Sequence, residues 1–301
     1  MTAPQAPDWV AVDWGTTHLR AWPMLGDMPL GPRRESDNGM GRLTRDGFAP
    51  ALDELLADVP GEGPLPVIAC GMVGARQGWV EVPYHPVPST PPGAAEAVRF
   101  TSGRFDMRIL PGLSQSSPAD VMRGEETQIA GFLAGNPDFV GTLCLPGTHN
   151  KWVDISGGVV RSFCTFMTGE LFELIGTQSV LRHSVRAGGW DEAAFDAALD
   201  EAAARPEALA AGLFALRAEG LLANLAPGTA RARLSGLLIG AELAAAKSNW
   251  QHRPVTVLGD GEVAASYKLA LDRLGCAAQV MSGEGVVRAG LTVAWTKLGE
   301  S

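Results

Sequence analysis

Two segments of this chain repeat one pattern about half a chain apart, and that repetition limits its folds more than any other feature. Near the N-terminus a short apolar strand, Val10–Val12, runs into Asp13-Trp14-Gly15-Thr16-Thr17-His18 and then into a second apolar stretch, Leu19–Leu25. In the middle, Leu143-Cys144-Leu145 runs into Pro146-Gly147-Thr148-His149-Asn150 and then into Lys151–Ile155. Each reads strand, Gly-Thr turn, polar residues, strand. Self-similarity at a fixed spacing marks a chain built twice on one plan. We therefore expect two similar halves, 1–139 and 140–301, each opening with a hairpin, with the last helix free to return to the first half. The 301 residues suffice for two cores.

Between these segments strands and helices alternate. The periodicity predicts a strand near Gly31–Ser36, a helix over Gly47–Val59 with Phe48, Leu52, Leu55, Leu56 and Val59 at helical spacing, and strands at Leu65–Cys70 and Met107–Leu110. Ser117-Pro118-Ala119-Asp120 offers Ser at N-cap, Pro at N1 and an acid at N3, so a helix is expected from there, carrying Val121, Ile129, Phe132 and Leu133 on one face. Strand Val140–Leu145 follows, then a hairpin of Lys151–Ile155 and Val159–Phe166 across Gly157-Gly158. Asp191–Leu222 reads as helical with a break at Arg205-Pro206, and Arg233–Ser248 as a further helix. Strand Val255–Leu258, helix Glu262–Leu274, strand Ala277–Met281 and helix Gly285–Leu298 close the chain, so the fold class is α/β.

Charge and composition exclude several classes. The net charge of −9 and the lack of a Lys/Arg-rich stripe argue against a nucleic-acid surface. An acidic chain binds anions only locally, through backbone N–H groups, helix N-termini and a few placed cations. No apolar run reaches the length of a membrane span, and the polar, Pro-rich N-terminus lacks the pattern of a signal peptide, so no membrane is expected and the cytoplasm is the expected location. The four cysteines, at 70, 144, 164 and 276, form no CxxC pair or Cys/His cluster and read as buried thiols. The sequence leaves the oligomeric state open, a dimer included.

Four places offer chemistry. A hairpin tip holding Gly15, Thr16 and Thr17 exposes backbone N–H groups and hydroxyls, which are phosphate ligands. Asp13 beside it would be repelled by phosphate unless a cation stood between, which suggests Mg²⁺ held through water. The second turn, Gly147, Thr148, His149, Asn150 and Lys151, repeats the donors without the acid. An ordinary polar β-turn stays the alternative for both. The third place is Gly259-Asp260-Gly261, between a strand and a helix, where a ligand can approach the backbone. The fourth is Arg123-Gly124-Glu125-Glu126-Thr127-Gln128. Glu125 falls four residues after Val121 and four before Ile129, on the apolar side of the expected helix, and is a candidate general base. Asp120 is the rival base, with helix capping as its competing role.

In this order the four pieces resemble the sugar kinase, actin and Hsp70 superfamily of ATP-binding proteins, whose two RNase-H-like domains hold ATP in the cleft between them. The first phosphate motif of that superfamily matches Asp13, Gly15 and Thr16, the second matches Gly147-Thr148, and the adenosine motif is similar to Gly259-Asp260-Gly261. Its carbohydrate kinases carry the base in a Gly-Asp-Gln-Gln helix; here Gly124-Glu125-Glu126-Thr127-Gln128 stands in that place, with Glu for Asp. More narrowly, the chain resembles the 2-dehydro-3-deoxygalactonokinase family in Val12–Arg20, Gly39–Gly41, Cys70–Trp79, Asp120–Gln128, Leu145–Trp152 and Thr165–Phe172.

That resemblance implies an ATP- and Mg²⁺-dependent kinase acting on the 6-hydroxyl of 2-dehydro-3-deoxy-D-galactonate, in galactonate breakdown. Gly15–Thr17 and Gly147–Lys151 would hold the phosphates and Glu125 would accept the hydroxyl proton. The sugar acid would sit in the first half, against Gly71, Met72 and the segment that follows. Arg76 would pair with its carboxylate, Arg20 being the second candidate, and Gln77 and Trp79 would line the pocket. A surface ion pair is the competing role for Arg76. The rival functions are a kinase for another sugar or sugar acid, a non-catalytic ATP or sugar sensor of the same fold, and a phosphatase acting on polyphosphate or nucleotides.

Overall fold

The computed structural model describes residues 5–61, 63–185 and 188–299. The chain divides into two compact units: one of Met1–Phe139, Ile155–Ser162 and Gly283–Ser301, the other of Val140–Asp154 and Phe163–Ser282.

In the first unit β1 (Trp9–Trp14) and β2 (Leu19–Leu25) form the expected hairpin, extended by the short β3 (Met28–Pro29) and β4 (Arg34–Ser36) where one strand was expected. Helix α1 (Phe48–Leu55) leads to β5 (Leu65–Gly71), then the short β6 (His85–Pro86), β7 (Val98–Ser102) and β8 (Phe105–Ile109). The main sheet runs β3-β2-β1-β5-β8-β7, with β4 also on β2. β1 is buried along both edges and faces: Val10, Val12 and Trp14 pack with Phe48 and Leu52 of α1, while Trp9 and Ala11 enter a second core on the opposite face. Cover on both faces is why β1 reads as an unbroken apolar run rather than an alternating one.

The sequence signal fails at Ser117-Pro118. β9 (Leu113–Ser116) and β10 (Ala119–Met122) form a hairpin there, with Asp120 opposite Gln115. The backbone groups that would have opened a helix serve this ladder instead, and Val121 is exposed on a strand. Helix α2 (Glu125–Gly135) starts after Gly124. The expected N-capping role of Asp120 therefore does not exist.

The second unit holds β11 (Gly141–Leu145), the start of β12 (Asn150–Ser156) and the end of β13 (Val159–Phe166), the tip of whose hairpin, Ile155–Ser162, is counted with the first unit, and then α3 (Thr168–Thr177), α4 (Arg182–Val185), α5 (Glu192–Ala204), α6 (Leu209–Leu222), α7 (Pro227–Ala245), α8 (Lys247–Trp250), β14 (Val255–Leu258), α9 (Gly261–Arg273) and β15 (Gln279–Met281). Its sheet runs β13-β12-β11-β14-β15, with β14 parallel to both β11 and β15. This repeats the first unit. The strand entering the Gly-Thr turn is central, the strand leaving the turn lies on one side, and the later parallel strands lie on the other. The shared order is that of an RNase-H-like unit, so the two Gly-Thr turns occupy equivalent places.

The closing helix α10 (Gly283–Gly299) belongs to the first unit. It packs on α2 at backbone distance: a Cβ at Gly290 would fall 1.9 Å from Thr127 O, so only glycine fits. Trp295 stacks on Trp9 with centroids 5.1 Å apart. α10 thereby fixes the helix that carries Glu125 and Glu126.

Candidate active site

In the first unit the turn after β1 closes through Gly15 N–H to His18 O at 2.9 Å, and Thr16 and Thr17 are exposed. A second turn braces it from behind: Met40 N–H donates to Gly15 O at 3.0 Å and Gly41 N–H to Thr16 O at 2.9 Å. Thr17 Oγ1 lies 2.8 Å from His18 Nδ1. Asp13 stands at the root of this turn, level with Arg20 on β2 and Cys70 on β5. Arg20 Nη1 donates to Asp13 Oδ2 at 3.2 Å, and Cys70 Sγ lies 3.9 Å from Oδ1. Burial pushes the Asp13 carboxyl above its usual range, against the opposing pull of Arg20. A carboxylate that burial still holds above its usual range, despite Arg20 and the more distant Arg33, gains from a further cation. Mg²⁺ is ordinarily held by one or two carboxylates with phosphate and water, so this donor set fits it. No group of three or more metal-ligating His, Cys, Asp or Glu occurs among the described residues, so a closed protein cage is not present.

Arg20 is committed, since its Nε also donates to Glu35 at 3.3 Å. Its Nη1 and Nε are thus both taken by carboxylates of the fold. Arg76 is exposed and pairs with Glu81 at 3.3 Å, the surface role weighed against its substrate role. Gln77 is exposed beside it. Trp79 is not a lining residue: its ring is in the core, 6.0 Å from Trp14, 6.0 Å from Phe48 and 5.3 Å from Phe100. Gly71 does reach the start of α2. Gly71 has φ 90°, and a Cβ on Gly124, itself at φ 106°, would lie 3.4 Å from Gly71 Cα. Both backbones sit in the left-handed region that glycine tolerates.

The acids at the start of α2 divide differently from the sequence reading. Glu125 is half-buried at the first helical position, with Oε2 accepting from Arg123 N–H at 3.0 Å. Glu126, not Glu125, is in the interior. Its Oε2 accepts from Gly124 N–H at 2.6 Å and its Oε1 from Thr127 Oγ1 at 3.1 Å. Burial, then the charge of Glu125, pushes its carboxyl up to about 8. Asp120 lies on β10, where its Oδ1 accepts from Val121 N–H at 2.7 Å.

In the second unit Gly147, Thr148 and His149 are exposed at the turn, while Asn150 and Lys151 are buried. Asn150 is not a surface phosphate donor but the strut of the turn. Its Oδ1 accepts from Gly147 N–H at 2.7 Å, and its Nδ2 donates to Glu242 Oε2 at 2.8 Å and also meets Tyr267 OH. Tyr267 OH donates to the same carboxylate at 2.6 Å and Trp152 Nε1 at 2.8 Å. Burial and the neighbouring Glu242 push the Tyr267 hydroxyl well above its usual range. Glu170 N–H caps Thr148 O at 2.9 Å, and its carboxylate lies 2.6 Å from His149 Nε2.

A cavity of about 470 Å³ opens from Gly147 and Thr148. Phe172 and Trp190 give it aromatic walls, Arg231 and Ser235 on α7 bring polar groups, and Glu262, Ser266 and Tyr267 of α9 close it. The Arg231 guanidinium lies 4.9 Å over the Phe172 ring. Gly259, Asp260 and Gly261 line a separate depression of about 460 Å³ rather than this cavity. Sequence reasoning missed Glu126, Phe172, Trp190, Arg231, Ser235, Glu242 and Tyr267. One signal was available: Glu242 is the single charge in the apolar run Leu237–Ala246.

Comparison with known proteins shows what the whole chain is similar to. The family model for 2-keto-3-deoxy-galactonokinase matches residues 13–294. A 2-dehydro-3-deoxygalactonokinase of Rhizobium meliloti (strain 1021) is 40% identical over 295 residues, covering 95% of this chain and 96% of the relative. The 2-dehydro-3-deoxygalactonokinase of Escherichia coli (strain K12) is 35% identical over 286 residues, covering 94% and 96%. A crystal structure from Sinorhizobium meliloti that carries the same enzyme name superposes with a TM-score of 0.90 at 39% identity, over 96% of this chain and 99% of the other.

Proposed function

The chain belongs to the 2-keto-3-deoxy-galactonokinase family, and on that ground we infer that it is a phosphotransferase that phosphorylates 2-dehydro-3-deoxy-D-galactonate. ATP is the donor and the 6-hydroxyl the acceptor. We assign the sugar acid to the first unit and the nucleotide to the second.

The observation that carries the nucleotide side is the cavity of the second unit. It begins at an exposed Gly-Thr turn, suited to phosphate, and runs between aromatic walls, suited to a base. The backbone N–H and hydroxyl of Thr148 and the His149 ring bind phosphate oxygens there, and Thr16 and Thr17 do so in the first unit; the N–H groups of Gly147 and Gly15 are taken by Asn150 Oδ1 and His18 O, so the two glycines shape the turns. Phosphoryl transfer asks a protein mainly for alignment and charge neutralisation, which fixed N–H donors supply. Mg²⁺, when bound near Asp13, neutralises phosphate charge. Lys151 is buried on β12 directly after the turn, and the Gly259–Gly261 loop leads into α9.

Glu125 is the proposed base. It stands at the head of α2, while both oxygens of Glu126 are engaged by neighbouring donors. It would take the proton of the attacking hydroxyl. Asp120, on β10 rather than on α2, stays the rival base; like Glu125 it accepts a backbone N–H.

A coupled ADP-release assay tests the reading. ADP release with 2-dehydro-3-deoxygalactonate, well above that with its gluconate epimer, is expected. Equal turnover of the two acids would move the assignment to another sugar-acid kinase, and no turnover of either would remove the enzyme reading.

A further inference from the structure

We infer that Arg123 receives the carboxylate of the sugar-acid substrate, in a subsite covered by the ring of Tyr84. The inference rests on the sugar-acid kinase reading above. It begins from a buried charge that pairs with no carboxylate among the described residues. Arg123 is 8% exposed. Its Nη2 donates to Val82 O at 2.7 Å, while Nε and Nη1 have no hydrogen-bond partner among the described residues. A guanidinium stays charged at any working pH, and buried charges in proteins are ordinarily paired. Here the contact on its face is the Tyr84 ring, 4.3 Å away, which takes up no N–H.

The donors are held in place. A Cβ at Gly74 would come within 2.9 Å of Nη1, so the bare backbone there is what lets the guanidinium approach the Met72–Gly74 turn. The backbone N–H of Arg123 is bonded to Glu125 Oε2 at 3.0 Å. The residue offering an unpaired cation is thus tied to the proposed base, on the backbone next to the Gly71 and Gly124 contact. A sugar acid carries its carboxylate at one end and its reacting hydroxyl at the other, and a rigid arginine suits the carboxylate. The other two arginines considered for this task are occupied: Arg20 by Asp13 and Glu35, Arg76 by Glu81. Tyr84 is 40% exposed, so its ring covers the guanidinium from the solvent side and must turn aside for the carboxylate to enter.

The test compares 2-dehydro-3-deoxy-D-galactonate with its C1 amide on wild type, Arg123→Met and Arg123→Lys, by calorimetric binding and by ADP release. Wild type should bind the acid at least about tenfold more tightly than the amide, the worth of a charge-assisted pair. Arg123→Met should bind both alike, with ATP affinity and melting temperature reporting an intact fold. Arg123→Lys should weaken acid binding several-fold and leave amide binding in place, which decides the matter if the Met variant does not fold. A wild type indifferent to the amide, or folded variants that keep the preference, would overturn the inference. Acid bound by wild type without ADP release would instead overturn the kinase reading and leave the binding comparison to judge Arg123.

Discussion

The carboxamide of Asn150 donates to the carboxylate of Glu242 over 2.8 Å, across 92 positions of sequence, beneath the second Gly-Thr turn. The same carboxamide holds Gly147 N–H on its other side at 2.7 Å. The shape of a surface turn therefore depends on an acid buried in α7. Because Tyr267 and Trp152 donate to that acid as well, one carboxylate joins the turn, β12, α7 and α9.

Glu242→Ala should lower stability by about 3 kcal/mol or more, because it strands three buried donors at once. Urea unfolding measures this. The variant that still folds should show a raised KM for ATP with the sugar-acid KM little changed. An unchanged ATP KM would mean that the turn keeps its shape without the strut.

Glu126 makes stability depend on pH with a definite sign. Its folded pKa of about 8 lies above the ordinary 4.5, so the folded state keeps a proton that the unfolded chain has lost. That contribution is complete below about pH 4.5 and is lost as pH rises toward 8, at roughly 1.4 kcal/mol per pH unit. Glu126→Gln should flatten the dependence and gain on wild type between pH 5 and pH 8. Unfolding curves that keep the same offset at both pH values would show that Glu126 is ionised throughout.

Glu125→Gln should cost on the order of 10²–10⁴ in turnover if the residue takes the hydroxyl proton. Asp120→Asn should cost little, since that side chain serves its own strand. The reverse pattern in steady-state kinetics would transfer the role to Asp120.

Trp190 is about half exposed at the mouth of the second unit's cavity, 5.3 Å from Phe195. Trp190→Ala should raise the KM for ATP about tenfold through loss of an aromatic wall and leave the sugar-acid KM unchanged. Equal KM values for ATP in both proteins would place the base elsewhere.

Much of the fold was legible because it rests on local patterns. The β1–β2 hairpin, the β12–β13 hairpin across Gly157-Gly158 and the break at Arg205-Pro206 each follow from apolar runs interrupted by turn residues. Ser117-Pro118 misled for the same reason. A local start signal lost to a long-range ladder, and β9 took the partners a helix would have used. Residue type shows chemical capacity and not its use: the core took the Trp79 ring, and Arg20 pairs with Asp13 and Glu35.

By itself the sequence determined the α/β alternation, the two equivalent Gly-Thr turns and the family, since all three are written in contiguous residues. Tertiary structure alone decided that Glu126 rather than Glu125 lies inside, that Asn150 supports its turn from below, and that Arg123 keeps Nε and Nη1 without a partner among the described residues. Each of those depends on what lies opposite a side chain. Partners such as Glu242 and Tyr267 come from distant segments, and burial by them sets whether a polar group binds a ligand or holds the fold.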